Sequence, residues 1–177
     1  MNKKFRTTAS AIALLIFNSA AFSQTCKEEI PLTAPDERFV IGESIITDKK
    51  TGLIWQRCSF GQVFKPLSAN DPCEGAATLL NWKEALDESS RFEGGNILDW
   101  RLPNLKELSS LVETACFEPA INESIFPTTD GTYWTSTPDL RGTGPLAWVV
   151  GFKFGGEGKS GKQLLMSVRF VAGGDVP

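Results

Sequence analysis

No histidine occurs anywhere in the 177 residues, and that absence removes whole classes of chemistry. Without an imidazole there is no Ser-His-Asp triad, no Cys-His pair, no histidine general base and no imidazole metal ligand. Two-carboxylate glycosidase chemistry, a lysine-assisted nucleophile and an oxygen-ligated cation such as calcium remain open. No two of the four cysteines, Cys26, Cys58, Cys73 and Cys116, have the close spacing of a zinc site, so no metal and no cofactor is expected. No apolar run approaches the roughly 20 residues that cross a bilayer, so no transmembrane anchor is expected. "GEGKSGK" ends like a phosphate-binding loop at Gly158, Lys159 and Ser160, but Lys153 stands where the first glycine is required. That segment reads as a hairpin loop.

What is present begins with a basic start, Lys3, Lys4 and Arg6, followed by a short apolar segment and small residues at Ala21 and Ser23. This is the pattern of a secretory signal peptide over residues 1–23. The remainder, residues 24–177, has the length of one ordinary domain with a single core. The leader carries three of the 18 basic residues and none of the 21 acidic ones, so the remaining chain has a net charge of −6. Such a surface argues against nucleic-acid binding, which depends on phosphate neutralisation. Export, to the periplasm or beyond the cell, places all four cysteines in an oxidising compartment. Four cysteines allow three pairings and the sequence does not choose among them. The Gly-, Pro- and Asn-containing loop between Cys58 and Cys73 favours a staple there, which leaves Cys26 with Cys116.

Along residues 24–177 the element signals are local and clear. "SIITDKKTGLIWQR" reads as two strands around a turn in which Asp48 starts the reversal and Gly52 takes positive φ, with Ile54 and Trp55 on opposite faces. Asn81 with Glu84, and Asn104 with Glu107, are two Asn versions of the capping box, predicting two helices. Leu105, Leu108, Leu111, Val112 and Ala115 recur at helical spacing behind the second cap. In the last third, "TYWTST", "AWVVGFKFGG" and "LLMSVRFVAGG" alternate like strands, with Trp148, Val150, Phe152 and Phe154 on one face, and Met166, Val168 and Phe170 set against Ser167 and Arg169. A hairpin, two helices and an antiparallel sheet define an α+β fold, two helices packed on a small, mainly antiparallel sheet.

The stretch from Asp99 to Glu107, with Trp100, Arg101, Leu102, Pro103 and Asn104 between, reads as a joint from strand to helix. Pro103 pushes Leu102 into an extended conformation, and Arg101 is expected to pair with a nearby carboxylate. A second reading makes Asp99, Arg101 and Glu107 a charged ligand-contacting cluster.

Together "TDKKTGLIWQRC", Trp82 to Leu86, "DWRLPNLKELSSLVE", "INESIFP", "YWTST" and "VRFVAGG" resemble, in this order, the C-terminal domain family of the Legionella collagen-like adhesin, from about Ile45 to Gly173. The resemblance implies a C-type-lectin-like fold. The Arg-Leu-Pro before a helix is also similar to the sulfatase-modifying-factor branch of that superfold, whose activity needs paired cysteines late in the chain, where this sequence has none. Calcium-dependent lectins of that superfold use Glu-Pro-Asn or Gln-Pro-Asp together with Trp-Asn-Asp. Glu118-Pro119-Ala120 lacks the amide ligand and Trp-Asn-Asp does not occur, so that mode of sugar binding is not expected. The adhesin is associated with sulfated glycosaminoglycans, a ligand that this chain, without a collagen repeat and with net negative charge, gives little reason to adopt.

For ligand contact the sequence offers Tyr133 and Trp134 as stacking aromatics, Arg141 in the adjoining loop, and Lys153 and Arg169 on what reads as the polar side of the strands. Trp55, Trp82, Trp100 and Trp148 read as core. The expected function is a non-enzymatic, lectin-like binding or adhesion module acting on a glycan or a surface protein. The alternative is a secreted carbohydrate-active enzyme with paired carboxylates.

Overall fold

In a computed structural model, residues 24–66, 72–95, 97, 99–127, 129, 131–141 and 144–173 are described. The leader expected over residues 1–23 lies outside them. Alternation along the first hairpin explains the layout. Strand β3 (Ile45–Asp48) turns into β4 (Leu53–Gln56), flanked by β2 (Phe39–Ile41) and, from the end of the chain, β11 (Val171–Gly173), in the antiparallel order β11-β4-β3-β2. Asp48 builds the turn: its carboxylate accepts from the N–H of Lys50 and the hydroxyl of Thr51, its carbonyl accepts from the N–H of Gly52, and Gly52 has φ +72°.

Both faces of the inner strands β3 and β4 of this sheet pack into cores. Leu53, Trp55, Ile46 and Val171 enter one core, whereas Ile54, Ile45 and Ala172 enter another. The antiparallel sheet β10-β9-β8, with β10 (Gly156–Gly161) at one edge, brings strands to the same two cores. On β8 (Thr132–Pro138) Tyr133 joins the first core and Trp134 the second; on β9 (Leu146–Gly151) Val150 and Val149 divide in the same way. Helix α1 (Trp82–Ser89) covers the second core with Ala85, Trp82 and Leu86, and α2 (Leu105–Ser109) covers the first with Leu105 and Leu108. The fold is therefore α+β with mainly antiparallel sheets, and the two helices close separate cores.

Both capping boxes form as expected: Asn81 accepts from the N–H of Glu84 and Asn104 from that of Glu107, with each glutamate returning to the cap N–H. The second helix is shorter than its apolar spacing predicts. Val112 leaves the helical path to pair with Ile121, and the buried Glu113 carboxylate collects the N–H groups of Thr33, Ala34 and Ala115. Leu111 and Ala115 still reach the interior from the following turn.

Two expectations for the last third are corrected. Gly156–Gly161, read as a loop, is strand β10, paired with β9 along its full length, and the reversal lies at residues 152–155 with Gly155 at φ +72°. An edge strand held by backbone pairing needs no apolar residues, which hid it from a hydrophobic pattern. Phe154, placed among the inward residues, sits in this turn and is exposed. "LLMSVRFVAGG" is strand only over Val171–Gly173. Its upstream part bridges Leu80 through Met166 and Tyr133 through Ser167, which ties the two sheets together.

Both expected disulfides are present, Cys58–Cys73 and Cys26–Cys116. The second fastens β1 (Thr25–Cys26) to β7 (Cys116–Phe117), where the two cysteines are direct partners. The first ties Cys58, just past the end of β4, to Cys73 on β6 (Cys73–Glu74), which pairs with β5 (Val63–Phe64) through Phe64. No helix among the described residues is long and apolar enough to cross a membrane.

Candidate functional site

The joint at Asp99–Glu107 is built as a structural element. Asp99 takes φ +68°, Trp100 and Leu102 are buried in the second core, and Arg101 forms a two-way backbone bridge with Val171 that extends the sheet. Its guanidinium grips Glu107 through two hydrogen bonds of 2.7 Å and donates a third to the carbonyl of Gly173. Burial opposes ionisation of Glu107, but the hydrogen bonds from Arg101 and the Asn104 N–H outweigh it and hold the carboxyl below its ordinary range. Arg101 and Glu107 thus close onto each other and onto the helix cap.

The five residues selected for ligand contact do not converge. Trp134 has no exposed surface, and its indole N–H donates to the carbonyl of Leu80. Tyr133 is buried and hydrogen-bonds Ser59 at 2.6 Å. Arg169, expected on the polar side, is also fully buried. The alternation rule assumes one wet face, and this segment has a core on each side. The Arg169 guanidinium donates to the carbonyls of Gln56 and Arg57 and to the hydroxyl of Thr129, and lies 4.9 Å from the Phe126 ring centre. Burial pushes its pKa down. Lys153 is exposed beyond the end of β9, 3.7 Å from the Glu118 carboxylate and near the Phe154 ring. Arg141 stands at the opposite end of β9, in the loop that leads into the strand.

Around Arg141 the structure assembles a site from a residue assigned to the core. Trp148 is half-buried and lines an open groove of about 510 Å3 with Leu105, Pro138, Asp139, Leu140, Arg141 and Lys159. Cross-strand pairing sets Lys159 opposite Trp148, and its ammonium lies 4.8 Å from the ring centre. The same ammonium is 3.0 Å from Asp139, whose other oxygen accepts from the Arg141 N–H and shapes the loop. The Lys159 hydrogen bond, with that of Arg141, lowers the Asp139 pKa. Trp148 and Trp134 have therefore exchanged the positions expected of them, Trp134 in the core and Trp148 at the groove. The signal for this was the pairing of residue 148 with a strand concealed by its glycines.

A second depression of about 390 Å3 lies on the far side of β4, walled by Phe60, Phe64, Phe92 and Trp100 beside the Cys58–Cys73 bridge. Sequence reasoning missed it because residues 44–64 and 92–100 meet only in the folded chain.

The buried acids are occupied: Asp48 pairs with Arg38, and Glu113 holds backbone N–H groups. Against this geometry, a family model for the Lcl C-terminal domain matches residues 44–172. The chain belongs to that family. No curated protein matches the sequence.

Proposed function

We propose that this protein is an exported, non-enzymatic binding module with a C-type-lectin-like architecture, acting at the cell envelope or surface on a glycan. The observation that carries the reading is the half-buried Trp148, which offers an indole surface in an open groove beside Lys159, Asp139 and Arg141. A flat aromatic surface flanked by hydrogen-bonding charged groups suits a sugar ring, whose C–H face stacks while its hydroxyls find polar partners. Arg141 adds affinity for acidic substituents, whereas Lys159 is neutralised by Asp139. The two disulfides and the leader-like residues 1–23 support export.

The test is a glycan-array screen with residues 24–177, followed by titration of the hits. Trp148→Ala is expected to weaken binding about tenfold or more, the scale for losing an aromatic anchor, while the fold is retained. Trp134→Ala reports on folding, because that side chain is sealed in the core. Binding that survives Trp148→Ala at full strength overturns the assignment of the groove. Turnover of a bound glycan overturns the non-enzymatic reading.

A further inference from the structure

The cleft above Trp100 has a different chemistry from the Trp148 groove. Its wall is aromatic, and its polar side chains are the neutral Ser44, Gln56 and Gln62, with no ionisable group among the described lining residues. The rings pack on one another: Phe60 meets Phe92 edge-on at 6.0 Å, Phe92 meets Trp100 edge-on at 5.5 Å, and the Trp100 indole N–H donates to the carbonyl of Gly94. The volume, about 390 Å3, lies within the roughly 300–1,000 Å3 range of small-molecule pockets.

Gln56 gives the cleft a direction. The residue is only 8 % exposed, and its Oε1 accepts from the N–H of Phe170 at 2.7 Å. Because that partner is a donor, the amide orientation is fixed and Nε2 is the atom left over. Nε2 has no hydrogen-bond partner among the described residues. The main chain of Gln56 is pinned as well, its N–H on the carbonyl of Phe170 and its carbonyl on Arg169. The Gln62 amide, by contrast, is committed at both ends, accepting from the Ser59 N–H and donating to the carbonyls of Cys73 and Gly75. Gln56 Nε2 is not among the sealed, unpartnered polar atoms and so keeps contact with solvent, where a ligand acceptor would take the place of water.

We propose that this cleft is a binding site for a small uncharged aromatic compound that carries a carbonyl or ether oxygen. The ring packs against Phe60, Phe92 and Trp100, and the oxygen accepts from Gln56 Nε2. No cation lines the cleft among the described residues, and the guanidinium of Arg57, 3.9 Å over the Phe64 ring, donates to the carbonyls of Gly42 and Ser124, so the charge of an aromatic carboxylate finds no partner among them.

The experiment titrates 15N-labelled residues 24–177 with acetophenone, ethylbenzene and benzoate, following the indole N–H of Trp100 and the amides of Gly61, Gly94 and Gly95. Acetophenone is expected to give saturable shifts at these signals, and ethylbenzene, of similar shape but without an acceptor, to bind about fivefold more weakly, the scale of one net hydrogen bond. Benzoate is expected to leave them unmoved. Gln56→Glu keeps the acceptor for Phe170 and removes the donor, so it should bring acetophenone down to the ethylbenzene level or below. Equal binding of acetophenone and ethylbenzene, saturable benzoate binding, or no saturable shift with any probe overturns the proposal. Because the three probes are compared on the unaltered protein, the result does not depend on how well the variant folds.

Discussion

The groove at Trp148 and the cleft at Trp100 are each built on an indole, yet they differ in formal charge. In the groove, Lys159, Asp139 and Arg141 surround an indole open to solvent. In the cleft, three neutral polar side chains interrupt an aromatic wall, and the indole is almost wholly enclosed. Charge at an open surface attracts hydrated ligands over distance and is screened by salt. A neutral enclosed wall selects by shape and one directed hydrogen bond, and salt has little to act on. One fold thus carries two surfaces whose binding should separate experimentally.

The strongest test of that separation lies behind the cleft, at Arg169. Its guanidinium holds the carbonyls of Gln56 and Arg57 and the hydroxyl of Thr129, all within the interior. Arg169→Met leaves these acceptors without a donor and is expected to lower the unfolding free energy by about 3 kcal/mol or more, measured by urea unfolding. Below the new midpoint, acetophenone binding should fall because Gln56 has lost the one of its anchors that Arg169 supplies, while glycan binding at Trp148 stays near its original value. Equal loss at both sites would mean that the two surfaces are coupled through the core.

A comparable effect is expected at the rim. Replacing both Cys58 and Cys73 by serine opens the staple beside the cleft, and the loop-entropy model gives a loss of about 3 kcal/mol for a loop of this size. The double variant should bind acetophenone less tightly and glycan unchanged. A loss confined to glycan binding would invert the assignment of the two sites.

These contrasts also explain what the sequence disclosed. The turn at Asp48 and Gly52, both capping boxes and the pairing of Arg101 with a carboxylate were legible, because each is encoded within a few neighbouring residues, and the structure identifies that carboxylate as Glu107. Arg169 and Trp134 were misplaced for a shared reason: strand alternation was read as one buried and one wet face, whereas both faces are buried. Trp148 was assigned to the core by residue type, and its exposure depends on β10, which carries no apolar signal. Of the selected contact residues only Arg141 lies in the groove. The cleft left no local trace, since its walls are 28 or more residues apart, from Phe64 to Phe92.

The smallest expected effect concerns the charge that defines the groove. Asp139 neutralises Lys159 across 3.0 Å and is held ionised by it. Asp139→Asn keeps an oxygen for the Arg141 N–H and removes the negative charge, so the groove becomes more positive without losing its shape. At pH 7 and low salt the variant should bind sulfated dextran a few-fold more tightly than the parent protein, and the gain should shrink in 1 M salt, where screening acts over about 3 Å. Acetophenone binding should not change. Acidification would also neutralise Asp139, but only below the ordinary carboxyl range, because the Lys159 and Arg141 hydrogen bonds lower its folded pKa. Asp48 and Glu107 also have lowered folded pKa values. The stability they contribute is present above the ordinary carboxyl range and is lost as pH falls through those values. Lowering the pH therefore changes the groove and the fold together, whereas the substitution changes the groove alone. If Asp139→Asn leaves sulfated dextran binding unaltered at low salt, Lys159 does not face the ligand, and the charge contrast between the two surfaces has no bearing on what they bind.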